Sequence, residues 1–326
     1  MMGEKKKHSV FLIATIVVVS CSVLFKPMSA FSAEEEGNVS PMPVNPEFKP
    51  RLGTYYYKAY FNNMNIGTAC IAIDREGDLY KVQVLAQTTG TVDRIYKLRY
   101  RGEALMDTDP LSPVESKMQQ QVRSTEKDTT IHFKDDGTIK TVEKKSENGN
   151  TVKYDVRTLQ TERFTLDPFS ATYLVRGLDW KVGTEKVFDV YPGKHQYELR
   201  LRCDSMATVD IGGEKRSAFV IVPKLTNLDP EKQAEAMKKK PASMKIYVSA
   251  DEFKDVLEID ASHTLGNFRV VLVKFEPSVN QSKEEDAQSR KEDAQSKGDI
   301  QSEVKAADGP NKKVEAPSKE PPQNNL

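Results

Sequence analysis

The 326-residue chain carries 48 lysines and arginines against 48 aspartates and glutamates, a net charge of zero. No basic surface of the kind that holds nucleic acid is implied. Its 38% hydrophobic content is low for a globular protein, and a polar C-terminal tail accounts for much of the deficit, leaving one domain large enough to bury its own core.

Residues 1–33 have the layout of a secretory signal. Lys5-Lys6-Lys7 open it, Val10 to Phe25 are mostly apolar, and small residues follow at Ser29-Ala30 and Ser32-Ala33. The apolar run is shorter than a comfortable membrane span. Cleavage near Ala33 is therefore expected, with a periplasmic or outer-envelope protein and no transmembrane span as the mature product. Val18-Val19-Ser20-Cys21 also resembles a lipobox, so lipidation at Cys21 is the alternative, although Val23-Leu24-Phe25 continues the apolar run past the cysteine. Cleavage near Ala33 leaves Cys70 and Cys203. These are open to a single disulfide in an oxidising compartment or to two buried free thiols.

Residues 34–50, with Pro41, Pro43, Pro46 and Pro50, read as an extended leader. From residue 51 to 276 the texture is that of one β domain. Ala69/Ile71/Ile73, Tyr80/Val82/Val84/Ala86 and Tyr96/Leu98/Tyr100 alternate with more polar neighbours, the period expected of half-buried antiparallel strands. Similar runs follow at Ile131/Phe133, Val152/Tyr154/Val156, Val187/Tyr191, Tyr197/Leu199/Leu201/Cys203, Ala218/Val220/Val222, Met244/Ile246/Val248 and Phe268/Val270/Leu272. Asp135-Asp136-Gly137, Asn148-Gly149, Pro192-Gly193 and Gly212-Gly213 separate pairs of runs and read as turns. Hairpin after hairpin predicts a mostly β protein, a long antiparallel meander curled into a barrel, half-barrel or sandwich.

Two helices are expected to interrupt the meander. In Asp167–Gly177, Asp167 suits the N-cap, Pro168 the first turn and Gly177 the stop, with Ala171, Leu174, Val175 and Leu178 as an apolar stripe. A second is expected from Asp229 to Lys240, ending in Lys238-Lys239-Lys240. Residues 277–326 repeat Glu-Asp-Ala-Gln-Ser and then turn proline-rich, which reads as a disordered low-complexity tail.

Chemistry is sparse. His132, His195 and His263 each stand alone in strand-like segments, and neither a metal site, a cofactor fingerprint nor a nucleophile elbow is legible. No catalytic residue is assigned. Ser170, Tyr173 and Arg176 share one side of the first helix and are the candidate ligand contacts; the structural alternative has Tyr173 packing and Arg176 pairing with a strand carboxylate. The lysines 238–240 could meet anionic headgroups or complement their own helix, and Tyr55-Tyr56-Tyr57 could line a cavity or simply pack.

Asp167-Pro168-x-Ser170-x-x-Tyr173-x-x-Arg176, followed by Val182-Gly183-Thr184, resembles the central motif of the DUF3108 family, exported bacterial proteins of unknown function. The segment from Tyr56 through Asn65-Ile66-Gly67 to Ala72 is similar to that family's opening strand pair, and Ile246-Tyr247-Val248-Ser249-Ala250-Asp251 to its late strand and turn. Tyr247 and Val256 stand where the family usually has tryptophan and proline. The resemblance covers about Arg51 to Phe275 and implies an exported, mostly β domain with Asp167, Pro168, Gly177 and Asp251 as structural positions. Three functions are in view: binding of a lipid or other hydrophobic envelope molecule, contact with envelope proteins or cell wall, and hydrolysis by a carboxylate pair.

Overall fold

The computed structural model describes residues 48, 50–108, 111–229, 243–263 and 266–278. The signal-like segment with Cys21, most of the leader, the helix expected after Asp229 with its lysines 238–240, and the tail beyond Ser278 lie outside the described residues.

The chain first winds β1 (Gly53–Phe61), β2 (Met64–Glu76), β3 (Leu79–Thr88), β4 (Leu98–Asp107), β5 (Pro113–Val122), β6 (Thr125–Phe133), β7 (Thr138–Glu147) and β8 (Asn150–Gln160) as an antiparallel meander. A second series comprises β9 (Thr165–Leu166), β10 (Glu185–Val190), β11 (Tyr197–Ile211) and β12 (Glu214–Asn227). It ends with β13 (Ser243–Ser249), β14 (Val256–His263) and β15 (Gly266–Pro277). β1 pairs with β15, so both series merge into one 15-stranded sheet in the order 8-7-6-5-4-3-2-1-15-14-13-12-11-10-9. Every pairing is antiparallel except the two-residue contact of β9 with β10. The sheet curls without closing, with β8 and β9 as its two edges.

The turn signals act as their chemistry requires. Asn148 and Gly149, both at positive φ, join β7 to β8, the backbone hand that suits the twist of a two-residue hairpin. Pro192-Gly193 lies in the loop from β10 to β11, which reaches across to the other half of the sheet. A Cβ on Gly193 would press on Thr129, Ile131 and Thr141, and the Tyr191 hydroxyl lies 3.2 Å from Thr141 Oγ1. Strands β5, β7, β9 and β14 fall between the alternating runs read from the sequence, and a helix is added to those expected: the six-residue α1 (Gly90–Ile95), which has no buried residue and hence no apolar stripe to betray it. It is fixed from outside: Thr88 Oγ1 donates to Asp93 Oδ1 at 2.7 Å, and Arg99 closes a two-pronged ion pair on the same carboxylate.

The connection from β8 to β10 passes through α2 (Pro168–Gly177), which packs against the inner face of the curl. Phe169 and Tyr173 enter one core cluster with Tyr55, Tyr57, Tyr100 and Met106. Ala171, Leu174, Val175 and Leu178 enter a second, with Trp180, Val190, Leu201, Ile221 and Val248. Only Thr172 of the helix is exposed. The polar side carrying Ser170, Tyr173 and Arg176 is therefore buried as deeply as the apolar stripe. Gly177 ends the helix without adopting a left-handed conformation, and Trp180 Nε1 donates to Val175 O at 2.8 Å over the last turn.

Candidate functional site

The site is built around α2. Asp167 is the N-cap: its Oδ1 accepts from Phe169 N at 2.8 Å and Ser170 N at 3.3 Å, and its Oδ2 accepts from the Ser170 hydroxyl. Burial pushes its pKa up, and the donors from Ser170 and Phe169 oppose that shift. Ser170 is thus used up in capping. Tyr173 packs edge-to-face on Phe48 and tilts on Tyr80, and its hydroxyl, buried beside Tyr80, finds no hydrogen bond of good geometry. Burial drives the pKa of that hydroxyl far up.

Arg176 ties the helix to a distant turn. Its Nη2 donates to Tyr55 Oη at 2.8 Å, Phe253 O at 3.0 Å and Asp255 Oδ1 at 3.0 Å, and its Nε donates to Lys254 O at 3.1 Å. Asp255 is fully buried. Its other oxygen receives Arg51 at 3.1 Å and Arg216 at 3.5 Å. Arg216 also bonds Asp251 at 2.6 Å, and Ser249 Oγ links Asp251 back to the Asp255 amide. Arg51 stacks between Phe253 and Phe275, 4.3 and 3.8 Å from their centroids. Burial works against the charge of Arg176, yet Tyr55 and Asp255 beside it push its pKa up. Burial likewise lifts Tyr55 to about 12, only partly offset by Arg176. Both oxygens of Asp255 are occupied by guanidinium groups, an arrangement that fixes chain rather than moves protons. Arg176 and Asp251, chosen from separate motifs, therefore meet in one cluster. Tyr55, read in the sequence only as one of three tyrosines that line a cavity or pack, joins them, and Arg51, Arg216 and Asp255, which complete the cluster, carry no local signal that sequence reading could have used.

Beside this cluster lies an apolar cavity of about 140 Å³ between α2 and the sheet. Pro168, Ala171, Thr172 and Val175 line it from the helix, and Tyr57 of β1 with apolar side chains of β2, β3 and β11–β15, among them Ile71, Leu199, Ile246 and Ile259, line it from the wall. A second cavity of about 70 Å³ shares Tyr57, Ile71, Val84, Pro168, Thr172 and Val256 with the first. It is bounded in addition by Tyr55, Tyr173 and Arg176. Of the three candidate ligand contacts, Tyr173 and Arg176 thus border the second cavity, and Ser170 lines neither of the two. Of the three tyrosines, Tyr55 and Tyr57 face inward, whereas Tyr56 bonds Glu276 on the outer side.

Cys70 and Cys203 are free, so the disulfide left open by the sequence is not formed. Cys203 lies in the second core cluster on the inner side, while Cys70 alternates with the inward-facing Ala69 and Ile71 and so points to the other face. Geometry decides against the bridge.

One outer-face pair gives a pH prediction. Glu258 and Asp260 stand two residues apart on β14, flanked by Tyr247 of β13 and Arg269 of β15. Burial first, and then the Asp260 charge, push Glu258 from its ordinary 4.5 up to about 7. An acid whose pKa is raised on folding costs stability once the unfolded chain ionises, so this contribution falls as pH rises from about 4.5 to 7. Because the group is half exposed, screening leaves on the order of 1 kcal/mol. Glu258→Gln is expected to raise the denaturation midpoint at pH 8 and leave it nearly unchanged at pH 4. Equal gains at both pH values would remove the electrostatic explanation.

A curled open sheet wrapped on one buried helix, with an apolar cavity between them, defines a β-rich protein of the barrel-like kind. Within that class the chain belongs to the DUF3108 family of proteins of unknown function, whose family model matches residues 56–273. Among solved structures, a β-barrel-like protein of the domain of unknown function DUF1849 from Brucella abortus is 10% identical. The match covers 70% of this chain and 99% of that one, with a TM-score of 0.43. A candidate lipoprotein from Parabacteroides distasonis is 8% identical over 70% of this chain and 97% of its own, with a TM-score of 0.28. No curated protein matches the chain.

Proposed function

We propose that this protein is a non-catalytic binding protein of the cell envelope that holds an apolar chain between α2 and the inner wall of its sheet. The observation that carries the reading is the cavity: its lining is apolar apart from Thr172 and Tyr57, whose hydroxyl is spent on Val256 O at 3.1 Å, and the helix above it is pinned by Arg176. Water gains few partners in such a space, whereas a hydrocarbon loses none. At about 140 Å³ the cavity is smaller than the roughly 300–1,000 Å³ of common small-molecule sites. It is close to the roughly 150 Å³ that accommodates a single aromatic ring. The expected occupant is thus one short acyl segment, not a whole multi-chain lipid. The signal-like layout of residues 1–33 supports placing this activity outside the cytoplasm.

The test combines mass spectrometry of lipid extracted from protein purified from its own envelope with titration of a fluorescent acyl probe. Ile259→Trp, which grows a half-buried lining side chain into the cavity, is expected to weaken the probe about tenfold or more while the melting temperature stays within a few degrees. Wild-type protein that carries no lipid and binds no probe, or a variant that binds as well as wild type, would refute the reading.

A further inference from the structure

Among the described residues, strand β8 is an edge of the sheet, with β7 as its one neighbour. Its outward N–H and C=O groups are a template for another strand. Its outer face carries Val152, Tyr154 and Val156 at 52%, 66% and 48% exposure. Protected edges normally avoid such a row by using charge, proline or very short strands. The opposite face of β8 carries Lys153, Asp155 and Arg157, across from Lys145, Glu143 and Thr141 of β7.

We propose that two copies of this chain join edge to edge through β8, antiparallel, about a two-fold axis at Tyr154. The segment Val152-Lys153-Tyr154-Asp155-Val156 is complementary to itself in reverse. In this register Tyr154 faces the partner's Tyr154, Val152 faces the partner's Val156, and Lys153 faces the partner's Asp155. The symmetry makes the valine and charge pairs twice. Directly opposed residues share a face, so the three exposed apolar side chains of each copy cover one another on the outer side. Opposite charges meet on the inner side, and a slip by one residue would set every pair wrong.

The charge groups needed are available. Lys153 Nζ lies 3.3 Å from Asp155 Oδ2, which also receives Arg157 Nη2 within the chain; the lysine and aspartate side chains are 51% and 31% exposed, so Lys153 can rotate onto the partner's Asp155 while that carboxylate keeps its own Arg157. The neighbouring register, centred on Val156, would pair Asp155 with the partner's Arg157. Arg157, however, is committed within its own chain, donating to Gly193 O at 2.9 Å and lying 3.5 Å from Glu143. The ladder of β7 with β8 passes from Lys145 opposite Lys153 to Ser146 opposite Thr151, so Val152 is an extra residue at the N-terminal end of the proposed edge. That irregularity leaves only a short regular edge, which points to a reversible dimer and not a permanent one.

Sedimentation of the full chain purified from its own host, over a wide concentration range, tests this. A monomer–dimer equilibrium is expected. Lys153→Asp should weaken it about tenfold or more by placing like charges opposite each other twice, and the double swap Lys153→Asp/Asp155→Lys should restore it. Both positions are exposed or half-exposed edge residues, and circular dichroism checks that each variant folds. Under mild oxidation Tyr154→Cys is expected to give a disulfide-linked dimer that the natural Cys70 and Cys203 do not, since opposed Cα atoms at about 4.5–5.5 Å suit a disulfide. A chain monomeric throughout overturns the proposal. So does a dimer indifferent to Lys153→Asp, a cross-link through Val156→Cys in place of Tyr154→Cys, or an edge that takes up only a strand of a different protein.

Discussion

Replacing Arg176 with methionine is expected to lower stability by about 3–5 kcal/mol. The methionine fills much of the volume but leaves Asp255 Oδ1 buried without its partner, and takes donors from Tyr55, Phe253 and Lys254 at the same time. Arg51 and Arg216 still meet the other carboxylate oxygen, so the loss is that of an incomplete cluster and not of a lone charge. Chemical denaturation measures it, and Asp255→Asn provides the check. In the Arg176→Met background, neutralising Asp255 should recover part of the loss, whereas in the wild type it should cost. Arg176→Lys should not rescue, because an ammonium cannot reproduce the fork that reaches a carboxylate, a hydroxyl and two carbonyls together. A loss below about 1 kcal/mol would mean that the helix is held by apolar packing alone. Since native stability is only about 5–15 kcal/mol, the full effect is a large share of the whole.

The second large effect is expected at Gly102 on β4. A Cβ there would stand 2.6 Å from Phe169 Cε1 and nearer still to Cζ. Phe169 is 4% exposed and locked in the first core cluster, so its ring cannot swing away cheaply. Gly102→Val should therefore cost stability at the upper end of the roughly 1–3 kcal/mol typical of overpacking, and shift α2 away from the wall. Phe169→Leu in the same chain should relieve it, and a double-mutant cycle should return a coupling well beyond 0.5 kcal/mol. Strict additivity would show that the glycine is needed for strand geometry and not for the helix above it.

The extent to which this architecture was legible follows from the range of each interaction. Strands announce themselves by alternation within a few residues, and the turns at Gly137, Asn148-Gly149 and Gly212-Gly213 by their own backbone requirements, so the curled meander was readable. The first residues of α2 were equally local: Asp167 and Pro168 are cap and first-turn chemistry. What escaped is what depends on partners far along the chain. Arg176 was expected to meet some strand carboxylate, but Asp255 lies 79 residues away in a turn, and nothing in either segment names the other. Nor does periodicity tell that a helix with an apolar stripe will be enclosed on its polar side too; that depends on the sheet curling around it. The short helix α1 had no stripe to read, and the alternative disulfide fell because Cys70 and Cys203 point to opposite faces, a fact of register across the whole sheet.

The pairing of β1 with β15 has a mechanical consequence. Gly53 stands opposite Pro277, so the domain is entered and left at the same corner, by adjacent antiparallel strands. Tension applied through both flanking segments would load those two strands at their shared end and open their ladder one rung at a time, like a zip, instead of shearing all rungs at once. The rungs farther away, β2 to β8 on one side and β14 to β9 on the other, lie behind that seam in the order of strands. A domain held this way between two tethers yields first at its middle, while the β10–β11 loop, seated on Thr141 and Arg157, still joins its two halves.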